Sequence, residues 1–122
     1  MKIPLGFKLK PEQNLQIQVH QWFVLQYPMH KQEFHHFANE RKCSKLYGYF
    51  LGLMGVKPGV ADIFIDVPSN GYRGLWMELK VDKNRPTSAQ NQFLSRKREI
   101  GYATLCVVGF DAAKAFIEGY LV

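Results

Sequence analysis

The sequence predicts an α/β fold in which helices flank a small mixed sheet, and three patterns support that prediction. Two runs rich in Ile, Phe, Val and Leu, over 61–67 and 75–81, are typical of β-strands, and an Asn-Gly pair between them is a strong signal for a hairpin turn. Segments with apolar residues at helical spacing precede and follow these strands in the sequence. An apolar run over 102–108 follows a helical segment, which predicts a strand parallel to the second run.

Length and composition predict one compact domain over residues 1–122, because a chain of 122 residues with 47% hydrophobic residues can build one core. Sixteen Lys and Arg against ten Asp and Glu give a net charge of +6, a balance common in proteins that bind polyanions. No apolar run approaches the roughly 18 residues that span a bilayer, and the first residues lack the apolar core of a signal peptide. We therefore expect a cytoplasmic protein without a membrane partner.

A first helix is predicted near the start of the chain. Pro11 and Glu12 suit its first turn, because proline fits there and an acidic side chain complements the positive end of the helix dipole. The apolar spacing continues to about Tyr27, and Pro28 ends the helix. Its predicted core residues are Leu15, Val19, Trp22 and Phe23.

A short strand and a second helix are predicted next. Alternation over 34–38 favours the strand, and its adjacent His35 and His36 lack a third ligand at metal-binding spacing. Ser44 is predicted to cap a helix that ends near Met54. The buried face predicted for this helix consists of Leu46, Tyr49, Phe50 and Leu53. The basic residues before it, which form either a solvated turn or a phosphate contact, are Arg41, Lys42 and Lys45.

The two central strands carry the candidate site. Side chains alternate across a strand, so Trp76, Glu78 and Lys80 share one face. The opposite, core-facing set is Leu75, Met77 and Leu79. An antiparallel return brings Asp62, at the start of the first strand, to the same end of the sheet. Two carboxylates beside an ammonium group suit a hard divalent cation such as Mg²⁺. A solvated strand face is the plainer interpretation of the same residues.

Two more helices complete the predicted fold. Thr87 to Gln90 matches a capping box, in which the glutamine side chain reaches back to the N–H of the cap residue. This helix is predicted to end at Gly101, before the last strand. Asp111 is predicted to cap a final helix, whose inward residues are Ala112, Ala115, Phe116 and Tyr120.

The order Asp62, then Glu78-Leu79-Lys80, resembles the PD-(D/E)xK nuclease superfamily, and the details resemble its VRR-NUC domain in the stand-alone form. The supporting features, in chain order, are Glu12 at the opening of a helix, the segment 55–62 (GVKPGVAD), the segment 74–80 (GLWMELK), Ser88-Ala89-Gln90 and Gly101-Tyr102. They cover nearly the whole chain. Ala61 stands where the family usually has proline before the motif aspartate.

The resemblance implies a restriction-endonuclease-like αβββαβ core and a metal-dependent endonuclease that hydrolyses phosphodiester bonds in DNA. It implies that Asp62, Glu78 and the backbone carbonyl of Leu79 are ligands of Mg²⁺ or Mn²⁺. Lys80 then orients or activates the attacking water. The helix residues to which the resemblance gives supporting roles at the site are Glu12 and Gln90. For Gln90, a contact in the site and a helix cap are alternatives.

Stand-alone VRR-NUC proteins resemble Holliday-junction resolvases, which act as homodimers, so the resemblance implies structure-specific nicking of branched DNA by a homodimer. Two alternatives stay open. One is a nuclease that nicks flaps or splayed duplexes, and the other is a catalytically silent DNA-binding or interaction module of the same fold. The complete set of Asp62, Glu78 and Lys80 favours a nuclease, because a binding module has no need for acids that face phosphates.

Overall fold

The computed structural model describes residues 5–38, 44–82 and 85–122, so Arg41 and Lys42 lie outside the described residues. The helices are α1 (Pro11–Gln26), α2 (Lys45–Leu53), α3 (Ser88–Glu99) and α4 (Phe110–Tyr120). The strands are β1 (Phe34–His36), β2 (Ile63–Ile65), β3 (Leu75–Lys80) and β4 (Ala103–Val108). A 3-10 helix, Pro28–Glu33, links α1 to β1. Among the described helices, none has the length and hydropathy needed to cross a bilayer.

The sheet is mixed, as the sequence predicts. Its strand order is β1-β2-β3-β4, with antiparallel pairing among the first three strands and parallel pairing of β4 with β3. Asn70 and Gly71 form the predicted turn, with φ angles of 53° and 82°. Left-handed conformation at both central positions is the geometry that matches the twist of a hairpin. The backbones of Ser69 and Tyr72 close it with two hydrogen bonds of 2.9 and 3.1 Å.

The predicted strand over 61–67 is shorter in the structure, where β2 contains only Ile63–Ile65. At its start, the side chain of Asp62 takes the place of a backbone partner, because Oδ2 accepts the N–H of Leu79 at 2.9 Å. The strand β2 therefore begins directly after Asp62, a residue of the candidate site.

Helices cover both faces of the sheet. Helices α1 and α4 cover the face of β3 that the alternation predicts as the core. The largest fully buried side chains there are Val19, Phe23, Ile63, Ile65, Leu75, Met77 and Ile117. Helix α3 covers the other face, where Leu94 packs with Ala61 and Trp76. The αβββαβ order is thus present in α1, β1, β2, β3, α3 and β4, with α2 inserted before β2.

The burial predicted for α2 is wrong. Ser44 does cap the helix, since its Oγ accepts the N–H of Tyr47 at 3.1 Å. The four residues of the predicted buried face are nevertheless between 48% and 66% exposed, and they are Leu46, Tyr49, Phe50 and Leu53. Helical spacing determines which side chains share a face, but it does not determine whether another element covers that face.

The inward face predicted for α4 is also partly wrong. The cap residue is Gly109 rather than Asp111, which lies in the first turn. The buried residues are Ala113, Ile117 and Tyr120. Ala112 and Ala115 are exposed. Small and apolar residues fill most of the first two turns of α4. The periodicity of the sequence therefore does not determine which side of this helix faces the core.

Candidate active site

Asp62 is fixed at the end of the sheet by its backbone and by its side chain. Its carbonyl oxygen accepts the N–H of Phe37 at 2.8 Å, and the Nδ1 of His36 lies 3.0 Å from the same oxygen. Its side chain accepts the N–H of Leu79 at 2.9 Å. Because Ile63 pairs with Met77 in the antiparallel register, the residue before Ile63 lies opposite Glu78. The hairpin therefore brings the two carboxylates together, as the sequence predicts.

Glu78 is the buried polar residue of this cluster, with 2% of its surface exposed. Its Oε1 accepts a hydrogen bond of 3.0 Å from the amide of Gln90. Its Oε2 is buried and has no hydrogen-bond donor among the described residues. Burial, followed by hydrogen bonding to Asp62 and the charge of Asp62, raises the pKa of Glu78 to about 8, against the opposing charge of Lys80. One oxygen of a buried carboxylate is thus left without a donor.

Gln90 connects α3 to the acidic pair. Its Oε1 accepts hydrogen bonds from the N–H of Thr87 at 2.8 Å and from Nζ of Lys80 at 3.0 Å. The hydroxyl of Thr87 accepts the N–H of Gln90 at 3.1 Å, which completes the capping box. The sequence presents a cap and a site contact as alternatives, but the two ends of one amide make both contacts. The Nζ of Lys80 also lies 3.8 Å from Oε1 of Glu78.

The backbone of Leu79 faces the Asp62 side of the site. The carbonyl of Lys80 accepts the N–H of Gly109, at the end of β4, at 3.0 Å. Since backbone groups alternate between the two neighbours of a strand, those of Leu79 point to the opposite edge, as its hydrogen bond to Asp62 shows. The Leu79 carbonyl lies on the side that the predicted ligand role requires.

Cys106 is a neighbour of the site that the sequence analysis missed. It pairs with Glu78 across the parallel register of β3 and β4. Burial, followed by the nearby charge of Glu78, raises the pKa of its thiol. The pairing register of β3 and β4 places Cys106 beside Glu78, but the sequence alone does not determine that register.

Glu12 lies in the first turn of α1, where it is exposed. Across residues 5–38, 44–82 and 85–122, no three His, Cys, Asp or Glu side chains form a group that could hold a metal ion. The acidic set of the site is therefore the pair of Asp62 and Glu78. Two carboxylates, with a backbone carbonyl and waters, are a usual ligand set for Mg²⁺. The supporting role of Glu12 stays a prediction.

The raised pKa of Glu78 predicts how stability depends on pH. In EDTA, the folded protein keeps this proton up to about pH 8, whereas the unfolded chain loses it near the ordinary value of 4.5. The contribution of this proton to the free energy of unfolding is complete below pH 4.5. It is lost as the pH rises to 8, by at most about 1.4 kcal/mol per pH unit. Urea unfolding of the wild type and Glu78→Gln across this range should give diverging free energies. Parallel curves would contradict the prediction.

Gly59 holds the loop before Asp62 against the first turn of α3. A Cβ atom at Gly59 would lie 2.5 Å from the carbonyl carbon of Ala89, and its φ angle is +77°. Gly59→Ala should therefore lower the free energy of unfolding by about 3 kcal/mol, through backbone strain and a clash. The matched control is Gly55→Ala, where φ is +98° but no described atom lies within 4 Å, and about 1 kcal/mol is expected. Equal losses in urea unfolding would exclude a role for the Ala89 contact.

The comparisons with known proteins agree with this architecture. No family model matches the chain, and no curated protein matches it. Among solved structures, the chain is similar to one described as a "VRR_NUC domain protein", with a TM-score of 0.78 and 28% sequence identity. The similarity covers 94% of this chain and 91% of that one. A match that spans nearly the whole of both chains supports the assignment of this chain as a VRR-NUC domain, with a restriction-endonuclease-like α/β fold.

Proposed function

We propose that the protein is a divalent-metal-dependent DNA endonuclease. Its active site, which hydrolyses phosphodiester bonds, contains Asp62 and Glu78. The observation that carries this proposal is the buried Oε2 of Glu78, which has no hydrogen-bond donor within the described residues and lies beside a second carboxylate. A buried acceptor without a donor costs about 1–3 kcal/mol, and a nearby like charge adds to that cost. A proton or a cation relieves it.

A cation fits the pair better than a proton alone. Asp62 is held by a backbone N–H and Glu78 by the amide of Gln90, so both carboxylates are fixed before any ligand arrives. Fixed oxygen ligands that converge are the donor set that Mg²⁺ and Mn²⁺ prefer. Glu78, Asp62 and the Leu79 carbonyl would hold the ion. Such an ion lowers the pKa of a water molecule and polarises the phosphodiester.

Lys80 and Gln90 have distinct tasks in this proposal. Lys80 is only 16% exposed in its side chain and is held by Gln90, so its ammonium group is fixed beside the acidic pair. We assign it to orienting the attacking water and to stabilising the negative charge that develops on the phosphate. Gln90 positions both Glu78 and Lys80, because its amide bonds to each of them.

Branched DNA is the substrate that this proposal favours. The net charge of +6 suits a phosphate backbone. The sequence contains no zinc-finger pattern of Cys and His ligands, which favours recognition of DNA shape over base sequence. Two symmetric nicks across a four-way junction need two active sites, and each copy supplies one Asp62–Glu78 pair. The proposed form that resolves junctions is therefore a homodimer.

The test is a cleavage assay on labelled four-way junction, flap and linear duplex, with Mg²⁺, Mn²⁺ or EDTA. We expect paired nicks in the junction that require metal and are lost in Asp62→Asn. The matched control is Asp66→Asn, which makes the same chemical change at an exposed residue just after β2 and should cut normally. Cutting of flaps alone would change the substrate. Tight, salt-sensitive binding without cutting under any metal would overturn the nuclease assignment.

A further inference from the structure

A groove lined by cations runs beside helix α3, between that helix and the loop that leads to Asp62. We call it the α3 groove, and its polar, charged and aromatic lining consists of Lys57, Gln92, Phe93, Arg96, Lys97 and Glu99. Its volume is about 670 Å³. Lys57, Arg96 and Glu99 are exposed, so the groove opens to solvent. Three cations against one carboxylate make this surface positively charged.

The positive charge of the α3 groove is not neutralised within the described part of the chain. There, no carboxylate forms an ion pair with Lys57, Arg96 or Lys97. Clustered cations on a groove raise the local concentration of anions. The ligand that this surface favours is therefore an anion from outside the chain.

Lys97 is held in place by aromatic rings. Its Nζ lies 5.0 Å from the ring centroid of Trp76, 5.3 Å from that of Phe93 and 5.6 Å from that of Tyr102. The negative faces of such rings attract an ammonium group. The rings carry no net charge, so they position the ammonium group without cancelling its charge.

Both walls of the α3 groove lead to the candidate active site. The loop wall, residues 57–58, continues along the chain to Asp62. The helix wall begins at Ala89, next to Gln90, whose amide donates to Glu78. A polyanion that lies in the groove can therefore extend to the acidic pair.

We propose that the α3 groove binds the phosphate backbone of one duplex arm of the DNA substrate, next to the bond that is cut. The helix wall extends from Ala89 to Ile100, which is about 17 Å at the helical rise of about 1.5 Å per residue. One strand of duplex DNA has a phosphate for about every 3.4 Å of its axis, so this length spans several phosphates. Continuity with the acidic pair favours DNA over an acidic protein, because the bond to be cut and the phosphates in the groove then belong to one strand.

This inference rests on the proposed function for its ligand, DNA, but its test does not depend on cleavage. The experiment is fluorescence anisotropy of a labelled duplex of about 20 base pairs, in EDTA, between about 50 and 300 mM NaCl. Lys57→Met and Lys97→Met should each reduce the slope of log K against log[NaCl] by about 0.9, because each removes one phosphate contact. Near 150 mM NaCl, the affinity should fall about fivefold in each variant and about thirtyfold in the double variant.

Lys114→Met is the matched control, because it makes the same change on α4, which covers the opposite face of the sheet. It should leave the slope at the wild-type value. Lys97→Arg keeps a charge that packs on aromatic rings, so it should keep the slope as well. Lys57 is exposed in a loop, so its variant tests the groove even where replacement of Lys97 disturbs the aromatic packing.

Two results would overturn the role of the α3 groove. One is an unchanged slope in Lys57→Met and Lys97→Met, and the other is an equal loss of slope in Lys114→Met. The expected slopes in a protein that cuts no DNA under any metal would support the groove and overturn the proposed function alone.

Discussion

Glu78→Gln is expected to reduce metal-dependent cleavage by at least about a thousandfold, while the protein still folds and binds DNA. Glutamine keeps the size and one oxygen of the side chain, but it removes the negative charge that would hold the cation. It also replaces the undonated oxygen of a buried carboxylate by a group that carries no charge. In EDTA, Glu78→Gln should therefore be more stable than the wild type near pH 8.

Lost activity together with gained stability separates a functional site from a structural one. A glutamate that only supports the fold would lower both quantities when replaced. The measurements are single-turnover cleavage with Mg²⁺ and urea unfolding at pH 8. The control is Asp66→Asn, which removes a carboxylate at an exposed position and should change neither quantity. Cleavage by Glu78→Gln at the wild-type rate would exclude Glu78 as a ligand.

Lys80→Met should reduce the rate of the chemical step by about a hundredfold to a thousandfold and change the Kd for DNA by less than about threefold. Its ammonium group is held by Gln90 beside the acidic pair and is mostly shielded from solvent, so it can act on the reacting atoms but contributes little to long-range attraction. The charge of Lys80 also lowers the pKa of Glu78. Its loss should therefore move the rising limb of the rate against pH toward higher pH.

Lys31→Met is the matched control for this variant, because Lys31 is exposed in the 3-10 helix that precedes β1. Removing its charge changes the net charge of the protein by the same amount. We expect an unchanged rate and an unchanged pH profile. If Lys80→Met weakens DNA binding as strongly as it slows cleavage, then Lys80 is only a phosphate contact.

The hairpin and its two faces could be predicted from the sequence because their causes are local. Asn70 and Gly71 favour the turn by their own backbone preferences, and the alternation of β3 separates Glu78 from the core. The cap of α3 is local too, since Thr87 and Gln90 are three residues apart. The surroundings of α2 are not local. Its spacing identifies an apolar stripe, and only the packed fold shows that the stripe is exposed.

In the candidate site, too, some features could be predicted from the sequence and others depend on the packed fold. Strand parity predicted that Asp62 and Glu78 lie at the same end of the sheet, but not their exact pairing. Continued from the Ser69–Tyr72 bridge, the hairpin would place Asp62 opposite Leu79, and a one-residue offset between the turn and the paired strands places it opposite Glu78. The undonated oxygen of Glu78 and the position of Cys106 depend on side-chain rotamers and on the pairing of β3 with β4. The place of Glu12 relative to the acidic pair depends on how α1 packs against the sheet, and the sequence of α1 alone does not determine that packing.

Calorimetric titration with Mn²⁺ tests the central claim most directly, because it measures ion binding without DNA or catalysis. Glu78 is protonated for the most part at pH 7, so binding should release a proton, and the heat should change with the ionisation enthalpy of the buffer. We expect one site per chain, lost in Glu78→Gln and in Asp62→Asn and retained in Asp66→Asn. Absence of binding, or equal binding by Glu78→Gln, would contradict a metal site at Asp62 and Glu78.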